Sequence, residues 1–189
     1  MRKQINHARR HASFNIAELK RLGYRQVGRG AFSTVLYHPD APDVVIKIGK
    51  RLSPRLSYAD GFPYLAQKIL DREISSKFYP KIYDLRWSPS GEHFLCIMKR
   101  YRKNRKHSVT KNIEKTFITI HIGHEPSWHS GTVDSRFKRA LQPFTDPRIF
   151  VNDIHRGNVM FDPATNTPIL TDPVCISWHH RHITEPAYV

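Results

Sequence analysis

The alternation of apolar and polar positions cuts this chain into short elements that together predict an α+β fold. Residues 13–23 read as a short helix, with Phe14, Ile16 and Leu19 apolar and Gly23 as its C-terminal stop. Residues 24–49 read as three strands. The last is a β-branched run, Val44-Val45-Ile46-Lys47-Ile48, entered through the breaker-rich turn His38 to Asp43. Residues 58–78 predict a helix with Tyr64, Leu65, Ile69 and Ile74 roughly on one face, ended by Tyr79-Pro80. Residues 81–86 and 93–99 predict two antiparallel strands joined through Ser88 to Gly91. These elements make a five-stranded antiparallel sheet with one helix. Residues 110–123 and 133–145 predict two further helices, the second with Phe137, Ala140, Leu141 and Phe144 on one face. Val159–Phe161 and Ile169–Thr171 predict a hairpin turning through Asp162–Asn166.

That hairpin carries the first candidate chemistry. Asn158 enters one of its strands and Asp172 leaves the other, so both side chains return to the same edge. Two oxygen donors so placed suit Mg²⁺, which keeps several waters and completes its shell with phosphate oxygens. Asp153, shortly before Asn158, is placed to receive or orient the proton of an attacking hydroxyl. His155 lies inside the same loop and is expected to brace it, through backbone or through the Asp172 segment.

The matching half of such a site stands upstream. Gly28 and Gly30 can reach backbone angles closed to other residues, which lets amides approach phosphates. Phe32 is expected to cap that loop, Ser33 to offer a hydroxyl, and Val35 and Met98 to contact a nucleotide. Lys47 is costly to bury without an anionic partner, and its position behind the glycines suits α- and β-phosphates. Asp60, Asp71 and Glu73 compete to be its acidic partner. Asp60 is favoured, with helix N-capping as its other reading.

In order and approximate spacing, several elements resemble the early serine/threonine protein kinase of T7-like bacteriophages. They are Gly28-x-Gly30-x-Phe32-Ser33, His38-Pro39, Val45 to Gly49, Asp153-x-His155-x-Gly157-Asn158-x-Met160-Phe161 and Ile169-x-Thr171-Asp172-Pro173-Val174. The resemblance covers residues 22–50 and 150–176 well and the middle loosely. It implies a minimal bilobal protein-kinase-like fold: a basic arm and short helix (1–23), an N-lobe (24–99), a basic linker (100–110) and a reduced, mostly helical C-lobe (111–189). It implies ATP and Mg²⁺, with Gly28, Gly30 and Ser33 over the phosphates, Lys47 on the α- and β-phosphates, Asp153 catalytic, and Asn158 and Asp172 holding metal. It also implies host proteins as substrates, including RNA polymerase and translation or RNA-processing factors, together with autophosphorylation and residence in the host cytoplasm. Two departures stand out. Asp172 is followed by Pro173-Val174 where eukaryotic kinases have Phe-Gly. The order Asp-x-His-x-x-Asn is nearer that of aminoglycoside-type phosphotransferases, so a small-molecule phosphotransferase and a basic module that inhibits a host enzyme remain rival readings.

Composition sharpens the partners. With 31 Lys and Arg against 16 Asp and Glu, the formal charge of +15 calls for an anionic partner. The densest basic run, Lys99 to His107, offers an acidic protein surface or nucleic acid a docking loop; Tyr101 alone gives no base-stacking platform. Met1–Asn15 reads as a mobile basic arm. Cys96 and Cys175 form no metal-type pair and suit a reducing cytosol. His121, His124 and His129, and His179, His180 and His182, lack zinc spacing. No apolar stretch is long enough to span a membrane.

Overall fold

The computed structural model describes residues 1–53, 56–103, 107–121 and 135–186. It begins with α1 (Arg2–His11) and α2 (Ile16–Arg21), followed by β1 (Arg25–Arg29), β2 (Ser33–His38), β3 (Ala41–Lys50), β4 (Tyr58–Asp60), α3 (Phe62–Leu70), β5 (Ile82–Trp87) and β6 (His93–Lys99). Then come β7 (Arg102–Lys103), α4 (His107–His121), α5 (Ser135–Leu141), β8 (Phe150–Asn152), β9 (Val159–Phe161), β10 (Pro168–Leu170) and β11 (Val174–Ser177). The fold is α+β. Its main sheet is five-stranded and antiparallel, in the order β1-β2-β3-β6-β5.

β3 shows why its sequence is apolar on successive residues around Lys47: both faces of the sheet are covered. Val44, Ile46 and Ile48 face a core shared with Ala8, Leu19, Tyr24, Leu36, Leu95 and Ile97. Val45, on the opposite face, packs with Phe62, Ala66, Phe94, Cys96 and Met98. Lys47 shares that second face, so strand alternation aims it inward.

The outer cover corrects the expected mobile arm. Residues 2–11 form a helix that lays Ala8, 1% exposed, onto the sheet. Gln4 bonds Asp43, and Arg9 donates to the Tyr83 carbonyl. An Ala8→Glu substitution should cost at least about 2 kcal/mol by burying an unpaired charge, read as a lowered denaturant midpoint. A mobile arm would leave the midpoint unchanged.

The helix expected over 58–78 is also corrected. Tyr58–Asp60 is a strand, and only Phe62–Leu70 is helical. β4 is drawn out of the helix by pairing with β11, which places Cys175 opposite Asp60; β8 pairs on the other side of β11. Gly61 makes the junction possible, since a Cβ there would stand 2.1 Å from the Val174 carbonyl oxygen. α3 then bridges two cores, giving Phe62 and Ala66 to the main sheet and Leu65 to a larger cluster with Phe117, Leu141, Phe144 and Leu170.

The second half is more mixed than mostly helical. Besides α4 and α5 it holds the sheet β4-β11-β8 and the sheet β10-β9-β7. The expected 159–171 hairpin is present as β9 and β10. The basic run is not a free docking loop where described. Lys99 bonds Asp162 at 2.7 Å, and the Arg100 guanidinium stacks 4.0 Å from the Tyr37 ring. Arg102 bonds Asn166, and its strand pairs with β9. Residues 104–106 lie outside the described residues, as do His124, His129 and the His121 side chain. No helix among the described residues is long and apolar enough to cross a membrane.

Candidate active site

Four polar side chains predicted from distant parts of the sequence meet against the face of the main sheet that Phe62 covers. Lys47, 6% exposed, donates to Asp172 Oδ2 at 2.7 Å. The Asn158 amide donates to the Asp153 carbonyl at 2.8 Å and to its Oδ2 at 2.7 Å. Backbone bonds lock the two loops together: Thr171 N–H to the Asn158 carbonyl at 2.9 Å and Asp153 N–H to the Pro173 carbonyl at 3.1 Å. The hairpin expected from the sequence is present, with Asn158 just before β9 and Asp172 shortly after β10.

Asp60 sits in the same pocket without being the hydrogen-bond partner of Lys47; Asp172 takes that place. Asp60 Oδ1 accepts the Phe62 N–H at 2.9 Å at the start of α3, but Gly61 is the N-cap of that helix, so the expected N-capping by Asp60 is corrected. Its Oδ2 is buried with no partner. Asp71 accepts from Gln67 and Glu73 from Lys68, away from Lys47. His155 braces its own loop, its Nδ1 accepting the Gly157 N–H at 3.0 Å, and makes no bond to the Asp172 segment.

Electrostatics favour a cation here. Burial alone would push the Lys47 ammonium down, but Asp172 and Asp60 outweigh it and hold it charged. Burial, then the Asp172 carboxylate, push Asp60 up to about 8. The same two causes raise Asp153. Three carboxyls thus crowd one ammonium. Among the described residues no three His, Cys, Asp or Glu side chains form a ready metal cage. The oxygen donors left by the bonds above include Asp172 Oδ1, Asn158 Oδ1 and the buried Asp60 Oδ2. An all-oxygen, partial set next to excess negative charge fits Mg²⁺ bound together with phosphate oxygens.

The crowding has a pH signature. A carboxyl raised in the fold keeps a proton that the unfolded chain has shed, so ionising it destabilises the fold. Metal-free protein should therefore lose stability, on the order of 2 kcal/mol, as pH rises from 5 to 8. Asp60→Asn should remove most of that loss, measured by denaturant unfolding at both pH values. An equal slope in the variant would contradict the assignment.

The glycine loop is corrected in its reason. β1 and β2 close a tight turn, with the Gly30 N–H bonded to the Ser33 carbonyl at 2.8 Å. Neither Gly28 nor Gly30 has a positive φ; Gly23 and Gly91 do. A Cβ at Gly28 would meet Val35 at an ordinary 3.6 Å, and one at Gly30 would meet nothing closer than 4.0 Å. The chain itself does not need these glycines, so the space they leave is available to a ligand. Gly30→Ala should keep or slightly raise the melting temperature, since alanine restricts the unfolded chain. It should weaken binding of the nucleotide expected from the sequence. Destabilisation with unchanged binding would refute this reading.

Phe32 is half-buried at the loop, 6.1 Å from the Tyr58 ring, and the Lys50 N–H bonds its carbonyl. Val35 and Met98 belong to one apolar cluster with Val27, Met160 and Ile169. Sequence reasoning missed Met160 and Ile169 in that cluster, although they closely flank Asn158 and Asp172. It also missed Cys175, whose thiol is raised by burial, stays neutral and donates to Asp153. No family model matches the chain, and no curated protein matches it significantly.

Proposed function

We propose that this chain is a phage-encoded, ATP- and Mg²⁺-dependent serine/threonine protein kinase with a minimal two-lobed, kinase-like fold. In this reading the five-stranded sheet and α3 form the first lobe and residues from 111 onward the reduced second lobe. It acts in the host cytoplasm on host proteins and on itself. The resemblance points to RNA polymerase and translation or RNA-processing factors as substrates. The observation that carries the proposal is the Lys47–Asp172 contact of 2.7 Å beside the locked Asp153–Asn158 pair.

The geometry supports the following roles. Magnesium, when bound, neutralises charge on the transferred phosphoryl group. Asp172 Oδ1 and Asn158 Oδ1 would hold it. Lys47, kept charged by Asp172 and Asp60, offers its remaining protons to the α- and β-phosphates. Asp153 accepts the hydroxyl proton as the acceptor oxygen bonds to the γ-phosphorus and ADP leaves. Its raised proton affinity suits that task. Asn158 and Cys175 fix the carboxylate for it.

Purified protein incubated with host lysate, magnesium and γ-labelled ATP tests this. Labelled serine or threonine bands that vanish with Asp153→Ala support the proposal. Label confined to small molecules would assign the aminoglycoside-type activity instead. No transfer, with a host complex still bound, would leave an inhibitory basic module.

A further inference from the structure

A concave surface opens beside the end of α3. It is a cleft of about 490 Å³ between the end of α3, the segment leading into β5 and the β9–β10 hairpin. Ile74, Tyr79, Ile82 and Ile169 are among its wall residues, so its floor is apolar. Its volume falls in the range of sites that take one bulky group, roughly 300–1,000 Å³.

The rim of the cleft is cationic. Arg72, Lys77 and Lys81 line it and are exposed. The one acid among the lining residues, Asp162, is committed to Lys99 at 2.7 Å. Asp71 and Glu73, beside Arg72 in sequence, bond Gln67 and Lys68 and do not line the cleft. Arg72 adds an independent observation. It stands just past the end of α3 at φ 61°, a left-handed position where glycine would be unstrained. A long basic side chain is kept where the backbone favours none, and that side chain lines the cleft.

We propose that this cleft docks an acidic peptide segment, one bulky apolar side chain filling the floor and flanking carboxylates meeting Arg72, Lys77 and Lys81. The proposal does not require the phosphotransfer reading: its charged residues, Arg72, Lys77 and Lys81, have no part in the Lys47 site, although Ile169 borders both. Floor and rim divide the work: the apolar anchor supplies affinity and the charges supply orientation and selection against basic partners.

The test is fluorescence polarisation of the full-length chain with a labelled peptide, Glu-Glu-Asp-Phe-Asp-Glu-Glu, at physiological salt. Saturable binding is expected. It should weaken about tenfold or more when the peptide phenylalanine becomes serine, and again in the Lys77→Glu/Lys81→Glu protein. Arg72→Gly should weaken binding while keeping or raising the melting temperature, which separates recognition from misfolding. Three results would overturn the proposal: no saturable binding, equal binding of the peptide lacking phenylalanine, or full displacement by an oligouridylate that binds the charge-reversed variant unchanged. The last two would mark a general polyanion surface.

Discussion

Replacing Asp153 by Asn is expected to lower phosphate transfer by about 10³-fold and to leave magnesium–nucleotide affinity nearly unchanged. In the proposed kinase this carboxylate takes the hydroxyl proton, and an amide cannot. Asn is nearly isosteric, so the loop tied by Asn158 and by the Pro173 carbonyl keeps its course. Stability should hold or rise, because burial and Asp172 already disfavour the Asp153 charge. Steady-state kinetics paired with denaturant unfolding separates the two effects. Loss of activity through unfolding would move both readouts together.

Lys47→Met is expected to destabilise the fold by roughly 3–5 kcal/mol, a larger effect than any surface ion pair gives. The ammonium is buried, bonded to Asp172 and packed 3.6 Å from the centre of the Phe62 ring. Removing it leaves Asp172 and the partnerless Asp60 Oδ2 facing each other without compensation. Asp172→Asn alone should cost less, because it removes a repulsion with Asp60 as well as an attraction to Lys47. Combining the two substitutions should recover part of the Lys47→Met loss, a coupling that a double-mutant cycle measures. The Lys47→Met deficit should also shrink as pH falls, since the stranded carboxyls then take up protons. Additive, pH-independent losses would show that the charges do not interact.

The parts read correctly from the sequence are those with strong local signals. The five strands of the main sheet were legible because β-branched runs alternate with Pro- and Gly-bearing turns. That Lys47 would meet Asp172, and Asn158 meet Asp153, was legible because chemistry restricts which residue types occur at such spacings. What failed was set by tertiary pairing. β4, β8 and β11 are three or four residues long, too short to show a period, and β4 exists only because β11 pairs with it. α1 hid behind its charges: its apolar side is little more than Ile5, Ala8 and Ala12, which gain meaning only against Leu36 and Ile46. The basic run pointed outward in sequence, yet Lys99, Arg100 and Arg102 are held by Asp162, Tyr37 and Asn166. The partner of Lys47 could not be chosen by helix position, because Asp60 lies on a strand and Asp172 takes the bond itself.

Calorimetric titration of a non-hydrolysable ATP analogue, with and without magnesium, into the wild type and Asp172→Asn bears most directly on the shared site of these side chains. One equivalent should bind to the wild type only with magnesium, and the variant should bind at least about tenfold more weakly. Binding that ignores magnesium, or that is equal in the two proteins, would contradict the account.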